Sequence, residues 1–501
     1  MLKWIKHPVF IVFILTALYF LTRVYNLLSL PIFTDEAIYT RWAQIAYSDS
    51  NWRFISLVDG KQPLFIWLSI ISMKFVSDPL LATRLVSVFS GFLTMVGLYF
   101  LGKELFSKKV GLLASLIYII YPFSLVYDRM ALYDSLVATG AVWSLFFEIL
   151  LVKRRRLDIA LILGMVLGAS VLTKTSGFFF IYLLPLSVLL FPFKKGREEF
   201  LKWIGLGIIS VALAYFYYSV LRLSPFFHII NDKNATFVYP FREWLTHPFT
   251  FFIGNLKGVF DWLSTYLTIP ILILVILSFV LEKKDLLKKL LLILWFLAPF
   301  LALALFGRIL YPRFILFMTI PLIILSSYSF IELFGKIKFD SLKVIIFVAL
   351  CFQMLIADFY ILNNFGFAQI PKSDLGQYYN DWPAGQGVKE SVAFFKKEAS
   401  KGPIYIATEG TFGLMPYSLE IYLVKNPNIT IEGFWPINDK MPDKVIAQSK
   451  KVPTYFVFYQ PCVPCSGIGV APLSWNNNVT LITQYKKPQG GRFFSIYKVN
   501  K

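Results

Sequence analysis

Long apolar stretches constrain this chain more than any other feature of its sequence. About eleven of them approach the roughly 20 residues that an α-helix needs to cross the hydrocarbon core of a membrane. Hydrophobic residue types make up 57% of the 501 residues and charged types 16%, whereas soluble domains carry about 25% charged residues. The composition therefore excludes a soluble globular protein and a disordered chain, and it predicts an α-helical polytopic membrane protein.

The predicted spans end near residue 360. They are expected at 8–28, 80–101, 110–127, 133–152, 157–173, 178–193, 203–222, 264–281, 290–307, 314–332 and 342–360. Lys and Arg clusters such as 153–156 occupy every second loop, whereas the alternate loops are more acidic. Under the positive-inside rule, this pattern predicts a cytoplasmic N-terminus and an extracytoplasmic C-terminus. The net charge of +20 is explained by these loops, so it does not indicate a nucleic-acid partner.

Two parts of the chain differ in composition. Residues 1–360 are predicted to form the membrane domain, in which 29–79 form a first extracytoplasmic loop with interfacial helices. Residues 361–501 are predicted to form an extracytoplasmic soluble α/β domain, because their apolar runs are too short to span a membrane. Their periodicity predicts helices at 388–399 and 417–424, and strands at 404–407, 454–459, 479–485 and 493–499.

Charged residues at the ends of the predicted spans are the candidate functional residues. A charge at such a place is costly unless it faces water, a counter-ion or a ligand. Taken one at a time, these charged residues could be ordinary loop charges, helix caps or snorkelling cations. Together they predict an outward cavity that holds an anion such as a phosphate beside a carboxylate able to accept a proton from a hydroxyl. The set comprises Asp35, Glu36, Lys61, Asp128, Arg129, Asp134, Lys174, Arg308 and Arg313.

Five short motifs that contain these residues resemble those of a known family. They are Thr34-Asp35-Glu36, Lys61-Gln62-Pro63-Leu64, the run from Asp128 to Asp134, Leu172-Thr173-Lys174-Thr175-Ser176-Gly177 and Tyr311-Pro312-Arg313-Phe314. The order of these motifs and the membrane side predicted for them resemble those of the GT-C fold glycosyltransferases that use polyprenyl-phosphate sugars. Within that fold, the chain is similar to the group of the protein O-mannosyltransferases and the lipid A aminoarabinose transferases. The resemblance covers about residues 8–330.

The resemblance implies roles for the matching residues. Asp35 corresponds to the catalytic carboxylate, and Glu36 beside it to a second catalytic group that supports it or orients the acceptor. The cations expected to bind the donor phosphate are Lys61, Arg129, Lys174 and Arg313. The residues expected to support the site are Asp128, Asp134 and Arg308.

The function predicted from these features is that of a glycosyltransferase in the plasma membrane, with either hexosyl or pentosyl specificity. It would transfer a sugar from a polyprenyl-phosphate donor to a hydroxyl group of a protein, lipid or glycan at the outer face, with inversion and with Asp35 as general base. This chemistry requires no cofactor and no metal site is predicted, although a divalent cation could assist through Asp or Glu. The alternative is a membrane transporter or lipid flippase, which would also need charged groups among its spans.

Cys462 and Cys465 are close together in the sequence, whereas the third cysteine lies in an apolar run. The pair could form a small disulfide or remain two thiols. The neighbouring Pro461 indicates a loop, whereas redox catalysis would favour a Cys-x-x-Cys motif that opens a helix. A structural disulfide is therefore the favoured interpretation. Zinc would need two further ligands, and the sequence offers none nearby.

Overall fold

The computed structural model describes residues 8–280, 285–335, 337–488 and 490–500. As far as Asn363, the described chain is mostly helical. Its helices are α1 (Pro8–Val24), α2 (Thr34–Ser48), α3 (Leu64–Met73), α4 (Pro79–Leu105), α5 (Lys108–Ile119), α6 (Pro122–Tyr127), α7 (Asp134–Arg154), α8 (Leu157–Thr173), α9 (Phe178–Leu183), α10 (Arg197–Ser219), α11 (Ile229–Phe237), α12 (Phe241–Thr246), α13 (Phe252–Leu267), α14 (Ile269–Val280), α15 (Leu286–Phe306), α16 (Ile320–Phe334) and α17 (Asp340–Asn363).

The remaining elements form a small α/β unit. Its helices are α18 (Lys372–Leu375), α19 (Val388–Ala399), α20 (Leu414–Leu423) and α21 (Asp443–Ser449). Its strands are β1 (Ile404–Glu409), β2 (Ile429–Phe434), β3 (Thr454–Phe458), β4 (Val479–Lys486) and β5 (Phe493–Val499). The helical membrane fold and the C-terminal α/β unit predicted from the sequence are thus confirmed. Strand β2 and helix α21 were not predicted.

Six helices among the described residues are long and apolar enough to cross a membrane. They correspond to the predicted spans at 80–101, 133–152, 203–222, 290–307, 314–332 and 342–360. Other predicted spans are occupied by shorter apolar helices, including Phe10–Val24, Leu157–Thr173 and Thr175–Leu190. The protein is therefore a multi-pass membrane protein by fold, but the count of eleven full-length spans is not confirmed.

Two predicted spans are broken helices. The stretch predicted at 110–127 divides into α5 and α6, because Pro122 has no N–H with which to continue the helical hydrogen bonds. The stretch predicted at 264–281 bends by 100° between α13 and α14. There Thr268 has a left-handed φ of 64°, and Pro270 follows in the first turn of α14. The span predicted at 264–281 is therefore met by a bent pair of helices and not by one continuous helix.

Small residues allow the membrane helices to pack closely. Helix α4 lies against α5 at Gly102 and Gly111, where a Cβ atom on Gly102 would lie 2.8 Å from the Cα atom of Gly111. Helix α7 lies against α8 at Gly140, where an added Cβ would approach the Ser170 hydroxyl to 2.4 Å. Without a hydrophobic driving force between helices in lipid, such close backbone packing provides much of their attraction. This packing holds the ends of α7 and α8 beside each other.

The sheet has the strand order β2-β1-β3-β5-β4. Strand β1 is parallel to both β2 and β3, whereas β5 is antiparallel to β3 and β4. The six residues of β1 are all buried, which explains its continuous apolar pattern. After β1 the chain forms β2, toward one edge of the sheet. After β3 it forms β4 and β5, toward the opposite edge. The carboxyl ends of β1 and β3 therefore border the crevice where open α/β sheets commonly bind ligands.

The α/β unit rests on helix α2. The N–H and hydroxyl groups of Thr34 donate hydrogen bonds to the Pro383 carbonyl at 3.1 and 2.9 Å. Further along α2, Arg41 forms a 2.6 Å ion pair with Glu420 on α20. Ala37 packs in the same apolar cluster as buried residues of the sheet. These contacts place the carboxyl ends of β1 and β3 above the start of α2.

Candidate active site

A cavity of about 610 Å³ lies between the helical part and the α/β unit. Its floor comes from the start of α2, the ends of α7 and α8, and the segment around Arg313. Its roof includes Trp382, Phe412, Tyr459 and Gln460 from the α/β unit. Charged and aromatic side chains line it together, so the cavity can accommodate an anion and a sugar ring in one space.

Asp35 lies in the first turn of α2 and contacts two cations. Its Oδ2 atom is 2.9 Å from Nη1 of Arg313, and its Oδ1 atom is 3.9 Å from Nζ of Lys61. The Asp35 side chain is 16% exposed, so solvent screens these pairs only in part. Burial by itself would raise the pKa of Asp35, but Lys61 and Arg313 together lower that pKa below its ordinary value. Asp35 is consequently ionised at neutral pH.

Lys61 connects Asp35 to a second carboxylate. Its Nζ atom is 3.4 Å from Oδ2 of Asp59 and donates a 2.8 Å hydrogen bond to the Tyr39 hydroxyl. Asp59 also pairs with Lys233 at 2.6 Å. Gln62 donates a 2.8 Å hydrogen bond to the hydroxyl of Thr175, which fixes the Lys61 loop to the turn that follows α8. The motifs around Lys61 and Lys174 are therefore in direct contact.

Lys174 follows the last residue of α8 and points into the cavity. Its Nζ atom is 2.7 Å from Oδ1 of Asp134, the first residue of α7. It also lies 4.6 Å from the ring centre of Phe314, in cation–π geometry. The Asp134 side chain is only 6% exposed, so this carboxylate is paired in a largely desolvated position.

Arg313 belongs to a short 3₁₀ turn, Pro312–Ile315, that precedes α16. Its guanidinium lies 5.0 Å from the ring centre of Tyr311 and 5.8 Å from that of Phe33. These aromatic rings hold the side chain over the start of α2 while leaving its charged end in the cavity. Five of the nine predicted site residues thus line one cavity: Asp35, Lys61, Asp134, Lys174 and Arg313.

Glu36 does not line the cavity, contrary to the prediction. It is fully buried and pairs with Arg84 through hydrogen bonds of 2.7 and 2.8 Å. Its carboxylate also accepts the N–H groups of Phe33 and Ala131. Adjacent residues on a helix point about 100° apart, so Glu36 faces the protein interior when Asp35 faces the cavity. Glu36 joins α2 to α4 and cannot orient an acceptor from this position.

Arg129 is also outside the cavity. Its guanidinium donates to the carbonyls of Thr22, Arg23, Tyr25 and Asn26, at 2.6 to 3.1 Å. These carbonyls are at the C-terminal end of α1, where a cation both satisfies free acceptors and complements the helix dipole. Arg129 is therefore a helix cap and not a ligand for a donor phosphate in this cavity.

Asp128 and Arg308 are the other two predicted site residues that do not line the cavity. Asp128 is fully buried, with Arg23 at 3.5 Å and a 2.8 Å hydrogen bond from Ser135. Arg308 is exposed and lies 5.5 Å from the ring centre of Tyr239. Asp128 supports the packing of the helices around the site, whereas Arg308 contacts the lining residue Phe237 only through a backbone hydrogen bond of 2.8 Å among the described residues.

Sequence reasoning missed several residues of the cavity. Asp59 and Lys233 are ordinary loop charges by position, and their ion pair forms across a separation of 174 residues. Trp382, Phe412 and Gln460 belong to a different part of the chain from the floor, so no local pattern connects them with Asp35. The tryptophan was recognisable only as one of several aromatic residues able to stack on a sugar.

One cluster of three metal-ligating side chains occurs among the described residues. It contains Glu409, Cys462 and Cys465, and not the carboxylates of the cavity. Cys462 and Cys465 are joined by a disulfide, which is one of the two states that the sequence allowed. Glu409 is one acidic side chain beside the pair, whereas a zinc site would need two reduced cysteines and two further ligands.

Part of the chain matches a known family by sequence. The model of the family described as dolichyl-phosphate-mannose-protein mannosyltransferase matches residues 60–219. This segment includes Lys61, Asp134 and Lys174 but neither Asp35 nor Arg313. A comparison with curated protein sequences gave no significant match.

Comparison with solved structures covers nearly the whole chain. ArnT from Cupriavidus metallidurans in the apo state has a TM-score of 0.60 at 12% identity, over 99% of this chain and 98% of ArnT. ArnT bound to undecaprenyl phosphate has a TM-score of 0.58 at 13% identity, with the same coverage. The chain has the GT-C fold. The fold resemblance inferred from the five motifs is therefore confirmed.

A second protein extends the GT-C comparison. The archaeal oligosaccharyltransferase AglB from Archaeoglobus fulgidus, in complex with an inhibitory peptide and a dolichol-phosphate, has a TM-score of 0.52 at 13% identity. The match covers 91% of this chain and 70% of AglB. The GT-C architecture shared with these structures extends from the membrane helices into the C-terminal part of the chain.

Proposed function

We propose that this protein is a membrane glycosyltransferase that transfers a sugar from a polyprenyl-phosphate donor to an acceptor hydroxyl. The observation that carries the proposal is the position of Asp35 between Lys61 and Arg313, in a partly enclosed cavity of a GT-C fold. A carboxylate can take the proton of an attacking hydroxyl, and the neighbouring cations can stabilise a phosphate as it leaves.

The donor phosphate would be bound by Lys61, Lys174 and Arg313. Each of these cations already has a carboxylate partner, namely Asp35, Asp59 or Asp134. A phosphate that enters the cavity would compete with those carboxylates for charge-assisted hydrogen bonds. As Lys61 and Arg313 turn toward the phosphate, the pKa of Asp35 would rise, and Asp35 would become a stronger base. Donor binding would thereby prepare the catalytic carboxylate.

In the transfer step, the acceptor oxygen attacks the anomeric carbon while its proton passes to Asp35. The bond between the anomeric carbon and the phosphate oxygen breaks, and the polyprenyl phosphate retains the electron pair. One displacement of this kind inverts the anomeric configuration, and no covalent enzyme intermediate is needed. Correct positioning and electrostatic stabilisation of the phosphate would provide most of the rate enhancement.

The acceptor hydroxyl, of a protein, lipid or glycan, would approach from beneath the roof of the cavity. Trp382 and Phe412 offer aromatic faces there, and Gln460 offers an amide group for hydrogen bonds. The hexosyl or pentosyl identity of the donor would be selected by the same surfaces. A divalent cation, if used, would have to compete with Lys61 and Arg313 for Asp35, so the proposed mechanism assigns no step to one.

The orientation in the membrane is part of the proposal. We infer a cytoplasmic N-terminus and an extracytoplasmic α/β unit in the plasma membrane, from the alternation of basic loops. Single cysteines placed at 153–156 and at 401–402, in a chain without its own cysteines, should react with impermeant reagents on opposite sides. Labelling of both positions from one side would contradict the orientation.

A transporter or lipid flippase remains the second candidate because of the broken pair α13–α14. Interrupted membrane helices are typical of transporter binding sites, and this pair bends by 100°. The decisive experiment incubates purified protein with cell envelopes and a panel of polyprenyl-phosphate sugars labelled in the sugar. Transfer of label to an acceptor, abolished in Asp35→Asn, is expected. Movement of intact donor across vesicles without transfer would favour the flippase.

A further inference from the structure

A second group of reactive side chains lies at the carboxyl end of the sheet. Glu409 is the last residue of β1, and the Cys462–Cys465 disulfide follows β3. One carboxylate oxygen of Glu409 and both sulfur atoms lie within 4.8 Å of one another. These groups border the crevice between β1 and β3, where the chain leaves the two strands in opposite directions.

Glu409 is an acid without a counter-ion among the described residues. Its side chain is fully buried, and its Oε2 atom accepts the N–H groups of Tyr459 and Gln460 at 2.9 and 3.1 Å. Its Oε1 atom has no hydrogen-bond partner among the described residues. Such an oxygen is costly to bury unless it has a function or a partner that comes and goes.

The environment of Glu409 favours its protonated form. Burial raises the pKa of Glu409 to about 7, although the two backbone N–H groups oppose that shift. The titratable group that faces it among the described residues is the Tyr459 hydroxyl on the β3 side, and the two disulfide sulfur atoms lie within 4.8 Å. In the described part of the chain, no cation forms an ion pair with Glu409. A neutral carboxylic acid near a sulfur can donate a proton when that sulfur becomes a thiolate.

The disulfide is accessible from one side. Both cysteines are partly exposed, and Val463 between them is fully exposed at the tip of the turn. The other side of the pair packs against the apolar cluster that contains Phe458 and Trp475. A thiol from outside can therefore approach the sulfur atoms, while the Glu409 carboxylate lies within 4.8 Å of them on the buried side.

We propose that Cys462 and Cys465 form a thiol–disulfide exchange site in which Glu409 supplies the proton to the departing sulfur. The thiolate of an external dithiol bonds to one sulfur of the pair, and the disulfide bond breaks. The other sulfur takes the electron pair and then the Glu409 proton, leaving a carboxylate held by two N–H groups. The second thiol of the donor transfers its proton to Glu409, and its thiolate attacks the mixed disulfide.

The second attack releases the remaining cysteine as a thiolate, which is then protonated. The donor is oxidised to a disulfide, and the cysteine pair is reduced by two electrons. The rate of thiol–disulfide exchange depends on how well the departing sulfur is stabilised. This is the step that a neighbouring acid accelerates, and the site does not depend on the sugar transfer proposed above.

The test measures reduction of the pair in the folded full-length protein. The chain has three cysteines, so Cys351→Ala leaves the pair as its only thiols. Dithiothreitol is the probe, and released thiols are counted as a function of time and pH, with each rate divided by the thiolate concentration. The corrected rate should fall above about pH 7 as Glu409 loses its proton. Glu409→Gln should lower the rate below pH 7 about tenfold or more and remove the pH dependence.

Glu432→Gln is the matched control because it makes the same chemical change on β2, where Glu432 pairs with Lys444. It should leave the corrected rate unchanged. Equal rates in Glu409→Gln and the parent chain, or a pair that resists dithiothreitol until the protein unfolds, would identify a purely structural disulfide. If Glu409→Gln does not fold, a corrected rate independent of pH in the parent chain would overturn the proposal. Retention of one zinc ion by the reduced protein without exchange would identify a metal site instead.

Discussion

Replacement of Asp35 by Asn provides the sharpest test of the proposed glycosyl transfer. Asparagine keeps the size of the side chain and can still accept a hydrogen bond, but it cannot take the proton of an acceptor hydroxyl. Loss of a general base typically reduces the rate by about 10²- to 10⁴-fold. We therefore expect kcat to fall by about this factor.

The same substitution should not weaken donor binding. Asp35 is 2.9 Å from Arg313 and 3.9 Å from Lys61, and a pair of unit charges at roughly 4 Å attracts by about 4 kcal/mol at an effective dielectric constant of about 20. Removing the carboxylate releases both cations from this attraction, so they can bind a phosphate more readily. Donor affinity should therefore be unchanged or higher in Asp35→Asn, although turnover is lost.

The assay combines single-turnover sugar transfer with a separate measurement of donor binding. Asp59→Asn is the matched control, because Asp59 lies in the same cavity, also pairs with Lys61 and has a similar exposure of 20%. A loss of about tenfold or less is expected there. Equal losses of kcat in the two variants would show that the cavity needs negative charge rather than a base at Asp35. Normal transfer by Asp35→Asn would refute the mechanism.

The pH profiles of the parent protein add an independent readout. Because Lys61 and Arg313 hold the pKa of Asp35 below its ordinary value, the acid limb of kcat/KM, which reports the free enzyme, should lie at low pH. Donor phosphate would draw these cations away, so the acid limb of kcat should lie at higher pH. Coincident acid limbs would contradict the exchange of partners.

Three further predictions concern residues around the cavity. Lys174→Ala should weaken transition-state stabilisation by about 2–4 kcal/mol, measured from kcat/KM for the donor, and an unchanged value would remove Lys174 from the phosphate site. Glu36→Gln should lower thermal stability by about 3–5 kcal/mol because Arg84 is left buried without its charge partner, and a stable but inactive variant would restore a catalytic role. Asp374 in α18 is fully buried and accepts hydrogen bonds from the hydroxyls of Tyr127 and Tyr266. Burial raises the pKa of Asp374 to about 7, so its contribution to stability is present below its unfolded pKa near 4 and lost as pH rises through 7. Asp374→Asn should therefore raise the melting temperature at pH 8 but not at pH 4, and equal shifts at both pH values would contradict this assignment.

Local sequence was sufficient to predict much of this architecture. Apolar length identifies the long membrane helices because lipid offers no partner for backbone polar groups. The alternating pattern at 479–485 and 493–499 predicted the hairpin that the structure forms as β4 and β5. The break at Thr268 was not predicted, because hydropathy averages over a window and does not register a single left-handed residue.

The candidate site was only partly predictable. A charge at the end of an apolar helix must have a partner, and this rule selected Asp35, Lys61, Lys174 and Arg313, which share one cavity. The rule does not say what the partner is. The partners of Arg129 are backbone carbonyls at the end of α1. In the sequence, however, Arg129 and Lys174 both appear as single cations at the end of an apolar stretch, so the two cannot be told apart.

The sequence by itself determined that this chain enters a membrane, where its six long apolar helices lie and which residues must find a counter-charge or a ligand. Those properties depend on the free energy of transferring short segments from water to lipid, and this free energy is set by the local sequence. Only the tertiary structure decided that Glu36 pairs with Arg84, that Asp59 pairs with Lys233 and that Trp382 lines the same cavity as Asp35. Such contacts form between residues up to 379 positions apart, as between Arg41 and Glu420, and their geometry is set by how whole helices and the sheet pack together.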